Sequence, residues 1–299
     1  MQVFVTGATG FVGSAVVREL RAAGHGVSGL TRSDAGADAL RGLGAEPVRG
    51  TLEDTAGLRD AAGRADAVIH TAFDHDFSDF GRVCALDRAA IETFGDALAG
   101  SDRPLLVTAG MMMLAEGRPA TEADRPPPAE LFPRHSEIAA EVLAARGVRA
   151  GTVRLPPTVH GAGDHAFVPR LIEIARATGV SAYVGEGANR WAAVHREDAA
   201  VVYRLAIEQG AIEQEAFGGP YHAVAEEGVP FRAIAETIGR GLGVPVVSKS
   251  PDEAAAHFGW LTPFAAADIA ASAARTRATL GWAPARPTLL EDMEAAGYF

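Results

Sequence analysis

A short apolar run, Gln2–Thr6, leads straight into Gly7-Ala8-Thr9-Gly10-Phe11-Val12-Gly13, and the helical run Ser14–Leu20 follows without a break. No other feature of the chain constrains its fold as tightly. Glycine at 7 permits the tight turn out of a strand, glycine at 10 lets the backbone come against a pyrophosphate, and glycine at 13 lets the helix pack close on the strand. The unpaired N–H groups of the first helical turn then point at an anion. A glycine triplet by itself marks only a turn. Placed after a strand and ahead of a helix, it specifies a βαβ dinucleotide-binding unit, with Gly7, Thr9, Gly10, Phe11, Val12 and Gly13 lying along the cofactor.

The pattern that follows agrees with this. Strands are predicted near 2–6, 26–31, 46–49, 67–71, 105–108 and 151–155, with helices between them near 11–23, 35–43, 55–62, 87–99 and 134–146. The strands are almost uniformly apolar, as parallel strands covered on both faces are. From Pro156 the texture changes to short elements divided by Pro156-Pro157, Gly161-Ala-Gly163, Gly185-Glu-Gly187 and Gly218-Gly219-Pro220. The expected architecture is α/β: a Rossmann doubly wound parallel sheet over residues 1–155, then a smaller mixed α/β substrate lobe over 156–299 with some segments returning to the first domain. The Pro-rich stretch 118–133 is expected to be a surface loop near the cleft.

Charge and composition exclude other classes. In 299 residues, 27 Lys and Arg stand against 38 Asp and Glu, a net charge of −11 that argues against nucleic acid as a partner. With 48% hydrophobic and 22% charged residues the chain is a folded protein, not a disordered one. A single cysteine, Cys84, leaves no internal disulfide and no multi-thiolate metal site, which fits a cytoplasmic setting. Met1–Val5 enter the first strand directly, so no secretory leader is expected. The Ala-rich stretch 254–274 is broken by His257, Trp260, Pro263 and Asp268, short of the ~20 apolar residues a membrane span needs.

Several segments carry a family resemblance. Thr6-Gly-Ala-Thr-Gly-Phe-Val-Gly13 resembles the phosphate loop of the extended and atypical short-chain dehydrogenase/reductase superfamily, of the NAD-dependent epimerase/dehydratase type. Val48–Asp54 is similar to the family's third-strand segment, which implies that Thr51 and Leu52 lie beside the adenine. Val68–Ala72 is similar to its fourth-strand segment, so His70, Thr71 and Ala72 are expected to line the cofactor. Val153–Gly161 resembles the segment that passes the nicotinamide, which brings in Leu155 and Pro156. Ala193–Asp198 resembles a Val-His-x-x-Asp segment that leads into a later helix.

The end of the second strand decides which dinucleotide is expected. An acid there would bind the ribose 2′-OH of NAD. The chain instead reads Leu30-Thr31-Arg32-Ser33-Asp34. Arg32 and Ser33 suit the 2′-phosphate of NADP, or NADPH when reduced, and Asp34 reads as the cap of the next helix.

Most members of the resembled family transfer hydride with a Tyr-x-x-x-Lys pair. This chain has one lysine, Lys249, with Pro245 four residues before it, and none of Tyr183, Tyr203, Tyr221 or Tyr298 has a lysine four positions on. The matching segment, Phe132–Glu141, puts Pro133 and Glu137 in the places of the pair. Thr108, at the end of the fifth strand, keeps a hydroxyl, and His135 stands closest to the missing tyrosine, so these two are the candidate catalytic groups. Met111, Met112, Met113, Phe167 and Trp191 are candidate contacts for an apolar small-molecule substrate, with plain core packing as the other reading of the methionines.

Two functions remain open. One is an NADP-dependent reductase of a small carbonyl or imine that works without the Tyr-Lys pair; the other is a redox sensor that binds NADP without turnover. Sugar epimerisation and dehydration depend on the lost residues and rank below both. Asp74-His75-Asp76 is too contiguous to converge on a metal, so none is expected. Arg154 and Arg190 are open candidates for cofactor or substrate contact. Ile138 and Val142 suit either a homodimer, which the resemblance suggests through 87–99 and 134–146, or intramolecular core.

Overall fold

The computed structural model describes residues 1–74, 79–128, 134–212, 219–295 and 297–299. The first half alternates strand and helix: β1 (Gln2–Thr6), α1 (Phe11–Ala22), β2 (Gly26–Thr31), α2 (Asp34–Gly42), β3 (Glu46–Arg49), α3 (Thr55–Gly63), β4 (Ala67–His70), α4 (Phe80–Leu98), β5 (Leu105–Gly110), α5 (Ser136–Ala145) and β6 (Ala150–Leu155). There follow β7 (Thr158–His160), α6 (Phe167–Thr178), β8 (Ser181–Val184), β9 (Arg190–His195), α7 (Arg196–Ile212), β10 (Tyr221–His222), β11 (Glu226–Pro230), α8 (Phe231–Leu242), β12 (Val246–Lys249) and α9 (Pro251–Phe258). Three short helices complete it, α10 (Thr262–Ala266), α11 (Ala274–Leu280) and α12 (Leu289–Ala295).

The central sheet runs β10-β6-β5-β4-β1-β2-β3, every pair of neighbours parallel. Its order reverses between β1 and β4, and that reversal opens a crevice at the carboxyl ends of these two strands, where the loops diverge. Burial explains why the strands read so clearly. Val3, Phe4, Val5, Val68, Ile69, Leu105, Leu106 and Val107 are wholly enclosed. One face packs on α3, α4 and α5 through Leu58, Ile91, Phe94 and Leu143. The other packs on α1 and α7 through Val16, Val17, Leu20, Val202 and Ala206.

Residues beyond 156 build two small sheets, β11-β9-β7 and β12-β8. They also return to the first layer, because β10 extends the large sheet and α7 lies along α1. Trp191, on β9, is fully enclosed, and its indole N–H donates to the carbonyl of Phe264 at 3.0 Å. It therefore belongs to the lobe's core and is not a substrate contact. Met111 is likewise buried in that core.

Two local expectations need correction. Helix α4 begins at Phe80, seven residues ahead of the expected 87, because the Asp79 carboxylate accepts from the N–H of Arg82 and caps it. The loop 118–133 is anchored where it is described: Ala120 bridges Ala271, and buried Glu122 accepts from the N–H and hydroxyl of Thr276, both at 2.8 Å. Residues 75–78 and 129–133, with His75, Asp76, Phe132 and Pro133 among them, lie outside the described residues. Val142 faces solvent on α5, and Ile138 is half-buried.

Candidate active site

Gly7 has φ +67°, and a Cβ there would stand 2.7 Å from the Ala72 nitrogen and the Thr71 hydroxyl. At Gly13 a Cβ would meet the Gly7 carbonyl at 2.0 Å, so α1 approaches the turn more closely than any side chain permits. Thr71 braces the same spot by donating to the Thr6 carbonyl at 2.7 Å. Helix α1 follows Gly10, its N-cap residue, with no side-chain cap and no acid in its first turn. The helices that follow β2, β3 and β4 are all capped, by Ser33, Asp54 and Asp79. The N–H groups at the start of α1 are left for an external anion, and the narrow glycine turn fits a pyrophosphate. A Cβ on Gly10 would lie 3.1 Å from the Gly7 carbonyl, tight but tolerable within the chain itself.

At the end of β2 the Ser33 hydroxyl accepts from the N–H of Gly36 at 3.1 Å. Ser33, not Asp34, is thus the cap of α2. Asp34 is exposed and lies 3.5 Å from Arg49, whose backbone is in register with Thr31. Arg32 is exposed at the same corner. Thr51 and Leu52 are half-buried just beyond β3, and the Thr51 hydroxyl hydrogen-bonds Glu53, which holds that carboxyl below its ordinary range with help from Arg82 and Arg32.

Beneath the crevice runs a continuous polar chain. The Thr6 hydroxyl is 2.6 Å from His70 Nδ1, and His70 Nε2 is 3.1 Å from Asp87 Oδ1. A carboxylate only accepts, so Nε2 carries a proton and donates. Ser136 Oγ donates to Asp87 Oδ2 at 2.6 Å, and Arg134 Nε donates to Ser136 Oγ at 3.2 Å. Arg134 Nη2 reaches the Thr108 carbonyl at 3.3 Å, and the guanidinium carbon stands 3.9 Å from the centre of the Phe73 ring. Burial alone would raise the Asp87 carboxyl, yet hydrogen bonds from His70 and Ser136 and the charge of Arg134 hold it below the usual range.

This chain revises two expected roles. The His70 side chain is buried with both ring nitrogens engaged, so it supports the cofactor crevice from below and does not line it. Thr108 Oγ1 donates to the His70 carbonyl at 2.8 Å, and Tyr203 Oη lies 2.8 Å on its other side. That hydroxyl is turned into the protein. His135 is half-buried at the start of α5 and caps nothing with its side chain. Glu137, in the place expected for lysine, is buried in a two-pronged pair with Arg154, so the Arg154 guanidinium is committed to the fold. Arg190 is similarly taken up by Asp268 at 2.7 Å.

The second lobe closes on the phosphate loop. The Arg196 guanidinium sits 4.8 Å from the Phe11 ring centre, and the His165 ring meets Phe11 edge-on at 5.8 Å. Two residues further on, half-buried Phe167 packs against Phe264 at 4.6 Å. Met112 is half-buried and Met113 is 51% exposed, with φ +60°. Leu155, in register with Gly110, ends β6 and is followed by buried Pro156. Sequence reasoning missed Arg196 and Arg134. Arginine is so frequent here that only the fold singles these two out.

Comparison with known proteins agrees with this geometry. Residues 3–79 match the NAD dependent epimerase/dehydratase family. An uncharacterized protein of Schizosaccharomyces pombe is 48% identical over the full length of both chains. A 2-alkyl-3-oxoalkanoate reductase of Stenotrophomonas maltophilia is 30% identical over 84% of this chain and 78% of its own. This chain belongs to the NAD-dependent epimerase/dehydratase family. The family is NAD(P)-dependent, which agrees with the uncapped turn at Gly10. Among solved structures, a dTDP-glucose 4,6-dehydratase from Streptomyces venezuelae with NAD bound superposes with a TM-score of 0.77 over 100% of this chain and 96% of its own, at 18% identity. At that identity the likeness is one of fold. Among the described residues, no helix is long and apolar enough to cross a membrane.

Proposed function

We propose that this family member is an NADP-dependent oxidoreductase that reduces a small apolar carbonyl or imine without a Tyr-Lys pair. The observation that carries the proposal is the uncapped, acid-free N-terminus of α1 at the sheet's crossover, with Arg32 rather than an acid directly after β2. The turn at Gly7, Gly10 and Gly13 would hold the pyrophosphate, with Thr9, Phe11 and Val12 along it. Arg32 and Arg49, which flank the start of α2, would hold the 2′-phosphate, and Ser33 contributes by fixing that helix end. Thr51 and Leu52 would border the adenine, and Thr71, Ala72, Leu155 and Pro156 the nicotinamide side.

When bound, the reduced nicotinamide supplies a hydride. The chain's own residues orient that ring, exclude water and present the substrate's reacting carbon. Met112, Met113 and Phe167 would offer the apolar surface, and a Stenotrophomonas relative named for reducing a 2-alkyl-3-oxoalkanoate supports a substrate with an alkyl body. NADPH oxidation against ketones, aldehydes and cyclic imines tests the proposal. Turnover of any class supports it. NADPH binding with no turnover across the panel would transfer the site to the redox-sensor reading.

A further inference from the structure

We propose that the Arg134 guanidinium holds the substrate's oxygen as negative charge builds on it, and thereby restricts this site to neutral carbonyl substrates. The inference rests on the reductase reading and narrows it. Hydride transfer to a carbonyl needs a group that stabilises the developing alkoxide. The described tyrosines are placed badly for that task. Tyr203 lies behind Thr108, Tyr298 bonds Gly161 and Asp164 in the second lobe, and Tyr183 sits under Arg232. Tyr221 is buried on the edge strand β10. The single lysine, Lys249, is on β12, in the two-stranded sheet of the second lobe.

Arg134 is placed well. It stands between the carboxyl ends of β4 and β5, one residue from the family's tyrosine position, and is half-buried with its head against Phe73 and the Thr108 carbonyl. Its Nε and Nη2 are engaged, whereas Nη1 makes no hydrogen bond to a described residue. Asp87, relayed through Ser136 and itself fixed by His70, anchors the charge from below. Arginine stays protonated at any working pH, so it stabilises the oxygen without giving up a proton. The balance is then simple. The carbonyl carbon gains the hydride, the C=O π pair moves onto the oxygen beside the guanidinium, the dinucleotide leaves oxidised, and water supplies the proton. A protonated iminium would instead meet a like charge.

The experiment compares Arg134→Ala and Arg134→Lys with the unmodified protein, using NADPH and matched ketone and cyclic-imine pairs. Expected in Arg134→Ala is a loss of about a hundredfold or more in ketone kcat, with NADPH affinity little changed, partial recovery in added guanidinium, and a lower unfolding temperature because buried Asp87 loses a compensating charge. Arg134→Lys should retain more. A readout apart from turnover is benzoate binding to the NADP-loaded protein by calorimetry, which should weaken about tenfold or more in Arg134→Ala. Unchanged ketone kcat in Arg134→Ala, or an unmodified protein that prefers the imine, overturns the proposal. If the unmodified protein turns over nothing, the reductase reading fails, and unchanged benzoate affinity would then overturn the anion site as well.

Discussion

Arg154 and Glu137 face each other across β6 and α5, Nε to Oε2 at 2.8 Å and Nη2 to Oε1 at 2.6 Å, with both side chains buried. Arg154 also donates to the carbonyls of Thr121 and Asp124, so one guanidinium pins the 118–128 loop, α5 and the sheet together. Removing one partner leaves an uncompensated buried charge. Arg154→Met should cost about 3–5 kcal/mol of stability, and the double change Arg154→Met with Glu137→Leu appreciably less. Urea unfolding of the three proteins checks this; equal losses in single and double variants would contradict a paired role.

A pH dependence follows from the third member of this cluster. His222 Nδ1–H donates to the Ser272 carbonyl at 2.7 Å, which leaves Nε2 to accept from Arg154 Nη1 at 2.9 Å. Protonating Nε2 would set N–H against N–H. Burial first, and the Arg154 charge second, push the imidazole down to about 4. A histidine with a folded value below its unfolded ~6.5 stabilises the fold fully above pH 6.5, and that stability drains away as pH falls toward 4. Burial shifts His160 and His195 in the same direction. Unfolding free energy should therefore fall between pH 7 and 4.5, by ~1–3 kcal/mol through His222 alone. A His222→Gln variant should show a shallower slope over the same range, and an equally steep one would sink the assignment.

These two clusters also show where sequence reading stops. The bounds of β1 and β2 were legible to the residue because each is a short, largely buried run beside turn-forming residues, whereas β3, Glu46-Pro-Val-Arg49, is a half-exposed edge strand marked only by its place between Gly44 and Gly50. Gly7 and Gly13 were legible for a steric reason, since their own neighbours forbid a Cβ. Arg154, Glu137 and His222 come together only through the order of β10, β6 and β5, which no spacing announces. Thr108 was visible as a hydroxyl at the end of β5. Its direction depends on Tyr203, 95 residues further along the chain.

Cofactor preference should sit in the two arginines flanking α2. Arg32→Ala and Arg49→Ala should each weaken NADPH binding while leaving NADH affinity nearly unchanged. A lost charge-assisted contact is worth roughly 1.5–3 kcal/mol, or about ten- to a hundredfold. Fluorescence titration with both nucleotides measures it. Equal affinity for the two in the unmodified protein would remove the basis for NADP.

The loop glycines should separate by role. Gly10→Val meets only the Gly7 carbonyl at 3.1 Å inside the chain, so the protein should fold yet lose dinucleotide binding. In Gly13→Val the side chain would start 2.0 Å from the same carbonyl, so the fold itself should suffer. Circular dichroism beside nucleotide titration distinguishes the two. A Gly10→Val protein with full NADPH affinity would refute the loop's role.

Tyr203 should prove to be structural. Thr108 Oγ1 has a single proton and gives it to the His70 carbonyl, so the Tyr203 hydroxyl must be the donor across the 2.8 Å contact. Its enclosure pushes the phenol well above its ordinary range, away from any proton transfer at neutral pH. Tyr203→Phe removes one buried hydrogen bond and leaves Thr108 Oγ1 short of a donor, at a cost of about 1–2 kcal/mol in unfolding free energy. Turnover on a panel substrate should stay within about tenfold, a barrier change of ~1.4 kcal/mol or less. Should Tyr203→Phe abolish turnover while NADPH still binds and the fold holds, the phenol would be acting through Thr108 on the reacting oxygen, and the site would possess the tyrosine acid that its sequence conceals.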